Sequence, residues 1–426
     1  MTTTCTCGFC PIHWQEPAGS IQRVFGGLRH RLKHLVVALV GLAVAAAGSP
    51  AAGAPVLTVT DVAGVAGLGQ TTSTYSAVFS DVNGDGVRDV LLNRHFQRPM
   101  QLFHGNADGT FTLAASFAQT DRHGCGTADV NGDGRVDIYC AEGASTVAGS
   151  IVKSNDLLMQ QSDGAFVDGA QAMGVDDPYG RGRDVTFLNA NGDVYPDLFV
   201  GNVGGRTDGK PSHNRLFLND GGAGFHDSGD PDITSTTGAH CAIPRDVNGD
   251  GWTDLLVCSA GKTGGPLHLY RNDEGKGFTD VSASAGLRGV ALGAEILDLN
   301  RDGRLDILSV DPTGVHIQLA TAPARFGPPR ALPGVQGGVD LAVADVEGDG
   351  DVDVYVVRGC AGGHDLGDTL LLNAGRGSFT SMAIAPAPGG CGDAVVRMAY
   401  RSRPGFLVLN GHSKAEGPIQ LLTFSR

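Results

Sequence analysis

The sequence is poor in charged residues, and basic residues in particular are outnumbered. Asp, Glu, Lys and Arg together make up 18% of the 426 residues, a share too small for a coiled coil or a disordered polyelectrolyte. Lys and Arg number 31 against 45 Asp and Glu, which gives a formal net charge of −14 at pH 7. A protein that binds nucleic acid by neutralising phosphates needs the opposite balance. We therefore expect no nucleic-acid partner.

Helical periodicity and the common catalytic motifs are also missing. No nucleophile elbow, phosphate-binding loop or His-Glu-x-x-His sequence occurs. Asp and Glu are so frequent in the repeated loops described below that no catalytic pair can be singled out. Glycine is abundant instead, with 65 residues, about twice its usual share of soluble proteins. Because hydrophobic residues still make up 41%, the composition indicates a folded protein with a packed core and gives no basis for an enzyme activity.

The first fifty residues differ from the rest of the chain. Basic residues between positions 23 and 33 precede the apolar run Leu35–Ala47, and small residues follow at 48–54. That order is typical of a secretory signal, and the run is shorter than the ~20 residues that span a bilayer. We expect residues 1–54 to be a leader with a signal peptide and the mature protein to be secreted, periplasmic or at the cell surface. Membrane contact is expected only through an uncleaved leader.

A nine-residue acidic loop recurs six times and determines the predicted architecture. The first copy reads DVNGDGVRD, and successive copies begin 47–60 residues apart. The six copies are Asp81–Asp89, Asp129–Asp137, Asn189–Asp197, Asp246–Asp254, Asp298–Asp306 and Asp345–Asp353. Each lies among short alternating apolar segments and Asn/Asp-Gly turns, a pattern typical of antiparallel strands. A repeat of about fifty residues with four strands per unit predicts a propeller.

Residues 55–426 are predicted to form seven blades. After the sixth loop, three further strands are predicted at Ala394–Tyr400, Gly405–Asn410 and Ile419–Phe424. The missing fourth strand of that blade is predicted at Val56–Asp61, because Val56–Leu68 matches the fourth-strand segment Gly277–Leu287. The predicted fold is therefore all-β, a seven-bladed propeller closed by its N-terminal strand, which leaves no open sheet edge.

The acidic loops have the composition of calcium sites. Oxygen-bearing side chains stand at positions 1, 3, 5 and 9, the carbonyl at position 7 adds a ligand, and Gly at position 6 permits the turn. The alternative is an acidic turn without metal; we predict up to six Ca²⁺ ions because carboxylates packed together repel one another without a cation. The predicted ligands are Asp81, Asn83, Asp85, Val87, Asp89, Asp129, Asn131, Asp133, Arg135, Asp137, Asn189, Asn191, Asp193, Tyr195, Asp197, Asp246, Asn248, Asp250, Trp252, Asp254, Asp298, Asn300, Asp302, Arg304, Asp306, Asp345, Glu347, Asp349, Asp351 and Asp353.

The third loop is predicted to bind calcium most weakly. It has only two carboxylates, Asp193 and Asp197, together with Val194 in place of Gly and a proline at position 196. Position 12 of every loop is apolar or small, unlike the Glu of an EF-hand. The predicted sites therefore connect strands rather than helices.

The loops, with the Gly-x-Phe turns behind them, resemble FG-GAP/VCBS repeats, the repeat of the integrin α-subunit N-terminal propeller. The stretch Phe278–Leu287, FTDVSASAGL, is more similar still to the cartilage acidic protein and UnbV group. The resemblance covers about residues 56–426 and implies a propeller with calcium sites. The complete integrin signature is missing, so integrin-like ligand specificity is not implied, and we expect the chain to lack the C-terminal domain of the UnbV group.

Three disulfides are predicted after the leader, namely Cys125–Cys140, Cys241–Cys258 and Cys360–Cys391. The first two pairs flank the second and fourth loops, and their distances from the loops fit one antiparallel register. The third pair would join two consecutive units. Zinc binding is the rival interpretation, but no Cys-x-x-Cys pair supports it.

Basic and histidine residues are predicted to gather on the face opposite the acidic loops, with ordinary solvated loops as the alternative. The set consists of Arg94, His95, Arg122, His123, Arg181, Arg183, His213, His240, Lys262, Arg358, His364 and His412. We predict a calcium-stabilised recognition or adhesion propeller that binds a glycan or an extracellular protein there. The rival is a secreted propeller enzyme, a lyase or hydrolase, acting on polysaccharide. The sequence gives no indication of the oligomeric state.

Overall fold

A computed structural model describes most of the chain from residue 57 onwards. The described residues are 57–95, 98–143, 154–204, 212–236, 238–259, 261, 264–361, 364–385, 390–411 and 416–426. The leader predicted at 1–54 lies outside them, as do Val56, Lys262 and His412. No helix in these segments is long and apolar enough to cross a membrane.

Seven antiparallel sheets, each built on four strands, follow one another along the chain and form the blades of a propeller. Blade 1 consists of Thr74–Ser80, Asp89–Arg94, Pro99–Gly105 and Phe111–Thr120. Blade 2 consists of Arg122–Ala128, Asp137–Glu142, Asp156–Gln160 and Phe166–Asp168. Blade 3 consists of Gly182–Leu188, Asp197–Asn202, Arg215–Asn219 and Phe225–Asp227. Blade 4 consists of Ala239–Arg245, Asp254–Ser259, Gly265–Asn272 and Phe278–Asp280.

The remaining blades follow the same order. Blade 5 consists of Gly293–Leu297, Asp306–Asp311, Gly314–Gln318 and Arg330–Ala331. Blade 6 consists of Gly338–Ala344, Asp353–Arg358, Thr369–Asn373 and Phe379–Ala383. Blade 7 consists of Ala394–Tyr400, Arg403–Leu409, Gly417–Ser425 and, from the other end of the chain, Thr58–Asp61.

Smaller elements decorate the blades. Four helices of four or five residues follow fourth strands, at Ala63–Ala66, Ala170–Met173, Pro231–Ser235 and Ser282–Ala285. Short strands pair beside the main sheets, at Thr71–Thr72, Val290–Ala291, Ala320–Ala322 with Arg325–Phe326, and Cys360–Ala361 with His364–Asp365.

The first strands of the blades form an inner ring. Each contacts the first strand of the next blade, and the first strand of blade 7 contacts that of blade 1. The core lies between neighbouring sheets: Tyr139 of blade 2 packs in one cluster with Phe217 of blade 3, and Phe199 of blade 3 packs with Tyr270 of blade 4. Since each apolar layer is shared by two blades, a blade buries its faces only against its neighbours.

The closure of the ring is confirmed. Thr58–Asp61 pairs antiparallel with the last strand of the chain, with Thr58 opposite Ser425 and Asp61 opposite Leu422. One carboxylate oxygen of Asp61, Oδ1, accepts the backbone N–H of Leu421 at 3.1 Å and that of Ala63 at 2.9 Å. The two ends of the propeller are therefore held in one sheet.

All three disulfides are confirmed, at Cys125–Cys140, Cys241–Cys258 and Cys360–Cys391. The first two each join residues directly opposite on the first and second strands of one blade. The third joins Cys360, in the short strand that follows the second strand of blade 6, to the segment that leads into blade 7. It therefore crosslinks two neighbouring blades, as the sequence predicts.

Candidate functional site

All six acidic loops connect the first strand of a blade to its second strand, so they lie on one face of the ring. In the first loop, Oδ1 of Asp81 accepts backbone N–H groups of Gly84 at 2.9 Å and Asp85 at 3.1 Å. Its Oδ2 accepts the N–H of Gly86 at 2.9 Å. The two glycines have φ of 73° and 85°, which only glycine adopts readily. The first carboxylate therefore organises the turn, and the second, fourth and sixth loops repeat this pattern.

The ninth residue of every loop is a buried aspartate that joins the loop to its own blade. In the fourth loop, Oδ2 of Asp254 accepts the N–H of Val247 at 3.0 Å, and Oδ1 accepts the N–H of Asn272 on the third strand at 2.9 Å. The same two bonds occur in the other five loops. Burial raises the pKa of five of these carboxyls, and the backbone bonds offset part of that shift.

In blades 3, 4 and 6 an asparagine at the end of the third strand connects the acidic loop of the preceding blade to its own blade. The amide nitrogen of Asn272, in blade 4, donates to the carbonyl of Ala190 at 2.8 Å, and Ala190 is the second residue of the loop in blade 3. Asn219 makes the same bond to Val130 at 2.9 Å. The third case is Asn373, whose amide lies 3.3 Å from the carbonyl of the second residue of the fifth loop. The acidic loops therefore belong to the junctions between blades.

The loop donors fit a hard cation. Each loop offers carboxylate and carbonyl oxygens, and all but the sixth add a side-chain amide oxygen; these are the ligands that Ca²⁺ prefers. The ninth carboxylate is already hydrogen-bonded, but an oxygen that accepts one N–H keeps a second lone pair. The third loop has the geometry least suited to a cation. Val194, at position 6, does not have the positive φ of the glycine found there in the other loops. Within this described segment, the backbone N–H of Val194 also makes no hydrogen bond to Asn189.

On the opposite face, the first strands of five blades carry β-bulges near their starts. The register shifts fall at Tyr75, His123, Arg183, His240 and Val339. A bulge bends the strand and redirects a side chain, and bulges are frequent beside functional sites. In blades 1 to 4 the bulged residues are aromatic or basic. Because the first strands form the inner ring, these four side chains surround the mouth of the ring opposite the acidic loops.

Two histidines and one aspartate converge at the junction of blades 1 and 2. Nδ1 of His95 and Nε2 of His123 each lie 3.3 Å from Oδ1 of Asp121. The His123 ring stacks on Tyr75 with centroids 4.0 Å apart, and the two imidazole centroids are 4.6 Å apart. Among the described residues, this is the one group of three His, Cys, Asp or Glu side chains whose ligand atoms all lie within 4.8 Å of one another.

The electrostatics of this mouth follow from burial and from one arginine. Burial raises the pKa of Tyr75 to about 12, although the charge of Arg183 opposes the shift. Burial and the same arginine hold the pKa of His123 well below its usual value, and they lower the pKa of His240 to about 4. Both histidines are therefore neutral at physiological pH. Arg183 is the positive charge common to these residues, and its guanidinium donates to the carbonyls of Gly143 and Gly182.

The structure places the described members of the predicted basic set on this face but corrects their role. Arg122 is 2% exposed, and its charge is already compensated by Glu142 and Asp156 inside blade 2. Arg94 is also buried, and its Nε donates to the hydroxyl of Thr72 at 3.0 Å. These two arginines stabilise the fold through buried polar contacts.

Arg358 is half-buried and donates to backbone carbonyls, among them that of Gln336 at 2.6 Å. It borders a shallow cleft of about 410 Å³ on the same face. The cleft is lined by Thr313, Leu332, Gly334, Val335, Gln336 and Arg358.

Sequence reasoning missed Tyr75 and Asp121. The sequence did carry a signal for the bulges, because each bulged residue stands six positions before the start of an acidic loop. These residues are Tyr75, His123, Arg183 and His240. Asp121 had no comparable signal, because it lies between blades and has a positive φ of 61°.

The model of the FG-GAP-like repeat matches more than half of the chain, at residues 81–140, 189–257, 246–309 and 298–356. The chain belongs to the FG-GAP repeat family. Cartilage acidic protein 1 of Homo sapiens is 27% identical over 238 residues, 52% of this chain and 33% of the relative. The protein of the same name from Xenopus tropicalis is 26% identical over 243 residues, 52% of this chain and 34% of the relative. This FG-GAP chain thus spans about a third of the length of the curated relatives it matches.

Solved propellers resemble the FG-GAP chain only distantly. An Agrocybe aegerita lectin that recognises non-reducing terminal N-acetylglucosamine has 18% identity and a TM-score of 0.48, over 74% of this chain and 81% of the lectin. The NanB sialidase of Streptococcus pneumoniae has 11% identity and a TM-score of 0.44, over 84% of this chain and 69% of the sialidase. At these scores the similarities carry no information on a ligand.

Proposed function

We propose that this FG-GAP protein is a recognition propeller that binds an anionic glycan or an acidic protein segment at the mouth opposite the acidic loops. The observation that carries the proposal is the set of bulged residues Tyr75, His123, Arg183 and His240, which four consecutive blades present to one space. An aromatic ring, neutral imidazoles and one cation together offer stacking, hydrogen bonds and a charge for an acidic group. Residues from several blades would share the binding energy.

The acidic loops have a structural role in this proposal. Each would bind one Ca²⁺ through the side chains at positions 1, 3, 5 and 9 and the carbonyl at position 7, with up to six ions in all and the third loop binding most weakly. The oxygen donors and the glycine turns support this assignment. The three disulfides favour an oxidising compartment, so we place the protein outside the cytosol, secreted or at the cell surface.

The binding proposal is tested on a glycan array in calcium buffer, followed by titration of the best ligand with variants. Arg183→Gln should weaken binding at least about tenfold, since a charged hydrogen-bonding partner contributes about 1.5–3 kcal/mol. The matched control is Arg271→Gln, which removes an exposed arginine from the third strand of blade 4, beside the turn that carries its partner Asp273. Binding of an anionic ligand should also weaken with salt. Equal affinity of both variants would refute the proposed location.

One observation favours the polysaccharide-enzyme alternative. Burial raises the pKa of Glu295, and it raises that of Asp340, in the next blade, to about 7, with the charge of Glu295 adding to the second shift. Paired carboxyls with raised pKa values are typical of acid–base sites. The oxygens of Asp340, however, accept the N–H groups of Leu341 at 2.8 Å and Val395 at 2.9 Å, which is a structural use. Steady product release from a polysaccharide, abolished by Glu295→Gln, would favour the enzyme.

A further inference from the structure

We propose that His95, Asp121 and His123 form a three-ligand site for Zn²⁺ at the junction of blades 1 and 2. Two imidazoles and one carboxylate are a donor set that suits zinc, in contrast to the oxygen-only acidic loops on the other face. The ligand atoms would be Nδ1 of His95, Oδ1 of Asp121 and Nε2 of His123. This site shares His123 with the proposed recognition surface, but zinc binding would require neither the recognition ligand nor calcium.

The distances to Asp121 are long for hydrogen bonds and agree with those expected around a zinc ion. Both imidazole nitrogens lie 3.3 Å from the same oxygen of Asp121, and an N–H···O bond normally spans about 2.7–3.2 Å. In a tetrahedral site with zinc–ligand distances of about 2.0–2.1 Å, two ligand atoms lie about 3.3–3.4 Å apart. The two separations from Asp121 therefore agree with those between ligands of a tetrahedral zinc, and all three ligand atoms lie within 4.8 Å of one another.

Hydrogen bonding alone does not account for the position of His123. The residue is 5% exposed, and its Nδ1 is a buried nitrogen without a hydrogen-bond partner among the described residues. An unpaired buried polar atom costs about 1–3 kcal/mol. In the proposed site zinc would bind Nε2 and not this nitrogen, so a coordinate bond at Nε2 would compensate for the cost of burying the ring without pairing Nδ1 itself.

The three ligands are held in place by their surroundings. The ring of Tyr75 stacks on His123 and meets the edge of His95, with centroids 5.5 Å apart in the second case. The carbonyl of His123 accepts the hydroxyl of Ser76 at 2.7 Å across the blade junction. The ligands come from three segments: the residue after the second strand of blade 1, the connection to blade 2, and a bulge in blade 2. Such preorganisation lowers the cost of binding a metal.

A zinc ion here would have a position for an outside ligand. The side chains of His95 and Asp121 are 15% and 21% exposed, so the group opens on one side to solvent. Three protein ligands leave the fourth position of a tetrahedral zinc to water or to an oxygen of a bound molecule.

The test is the titration of the secreted, calcium-saturated protein with Co²⁺, a visible-absorbing substitute for Zn²⁺, followed by displacement with Zn²⁺. The wild type should take up one equivalent of Co²⁺ with the intense d–d bands of a four- or five-coordinate ion. His95→Gln and His123→Gln should each weaken uptake by at least about 100-fold, since even partners outside the ligand shell typically account for 10–100-fold. The matched control is His213→Gln, which removes an exposed histidine from the same face of blade 3 and should leave uptake unchanged.

A second measurement does not depend on the folding of variants. In long-range ¹H–¹⁵N spectra of the wild type, Zn²⁺ should shift Nδ1 of His95 and Nε2 of His123 to metal-bound values and leave His213 unaffected. No uptake of Co²⁺ in the presence of calcium would overturn the proposal. Uptake that persists in His95→Gln, or zinc-induced shifts at other histidines instead, would also overturn it.

Discussion

The asparagine that connects neighbouring blades gives the sharpest test of how the ring is held together. Asn272 is 1% exposed. Its Nδ2 donates to the carbonyls of Ala190 at 2.8 Å and Thr253 at 3.2 Å, and its Oδ1 accepts the N–H of Gly275 at 2.8 Å. Asn272→Ala removes all three bonds, and the carbonyl of Ala190, in a buried residue of the preceding loop, loses its partner. We predict that this single change destabilises the whole propeller.

The expected size follows from the number of bonds. Each intramolecular hydrogen bond contributes about 1 kcal/mol net, so the loss of the three made by Asn272 lowers the free energy of unfolding by about 3 kcal/mol. For about 370 folded residues, with about 2.1 cal/mol/K of unfolding entropy per residue, 3 kcal/mol corresponds to a fall in melting temperature of about 4 °C.

The assay is urea and thermal unfolding in saturating calcium. The control is Asn106→Ala, because Asn106 is also an asparagine next to a turn, but its side-chain amide reaches only Thr110 and Thr112 of its own blade. The control should change stability by less than about 1 kcal/mol, as partly exposed positions do. Equal effects of the two substitutions would show that the bond between blades adds nothing, and the reasoning would fail.

Three further predictions concern charge and crosslinks. Removing calcium with a chelator should lower the melting temperature, since each site at ten times its Kd contributes about 1.4 kcal/mol; an unchanged value would contradict the calcium assignment. Burial raises the pKa of Asp184 to about 7, above the ~3.9 of an unfolded chain, so the folded state holds this proton more tightly and stability falls as pH rises from about 4 to 7. Asp184→Asn should flatten that fall in pH-dependent unfolding curves, and an unchanged slope would contradict the prediction. Cys360 and Cys391 are 31 residues apart, and the loop-entropy model predicts that replacing both by serine lowers the free energy of unfolding by about 4 kcal/mol. Urea unfolding measures this change. A variant as stable as the wild type would contradict the prediction and would mean that blades 6 and 7 stay close together in the unfolded ensemble.

The features that repeat along the chain could be predicted from the sequence. The six acidic loops at similar spacing predicted six blades that each carry such a loop. The match between the N-terminal segment and Gly277–Leu287 predicted the strand that closes the ring. The disulfide register followed from positions counted from the loops. Each of these inferences depends on contacts within one blade, or on a pattern that recurs in every blade, so local periodicity carries the information.

The residues of the candidate site depend on contacts between blades, and the sequence does not encode those locally. His95 and His123 are in different blades, and only the ring geometry brings them to one oxygen of Asp121. Arg122 looked like a surface cation from its place at a loop. Its burial becomes clear only once Glu142 is found beside it in the folded sheet. A charged side chain is almost never fully buried without such a partner, and a sequence does not show the partner.

The exceptions to the repeat concern the contacts that join a loop or turn to the neighbouring blade. Blade 7 has no acidic loop but a tight turn between Tyr400 and Arg403. Blade 1, which faces it, has Gly105 where blades 3, 4 and 6 have the connecting asparagine. Across that junction Nε of Arg401 donates to the carbonyl of Asp108 at 2.9 Å. In blade 5, which also lacks the asparagine, the backbone N–H of Ala324 lies 3.2 Å from the carbonyl of the second residue of the fourth loop. Since a substitute bond appears at these two junctions without the asparagine, an ion bound in a loop would stabilise the adjoining junction as well as its own turn.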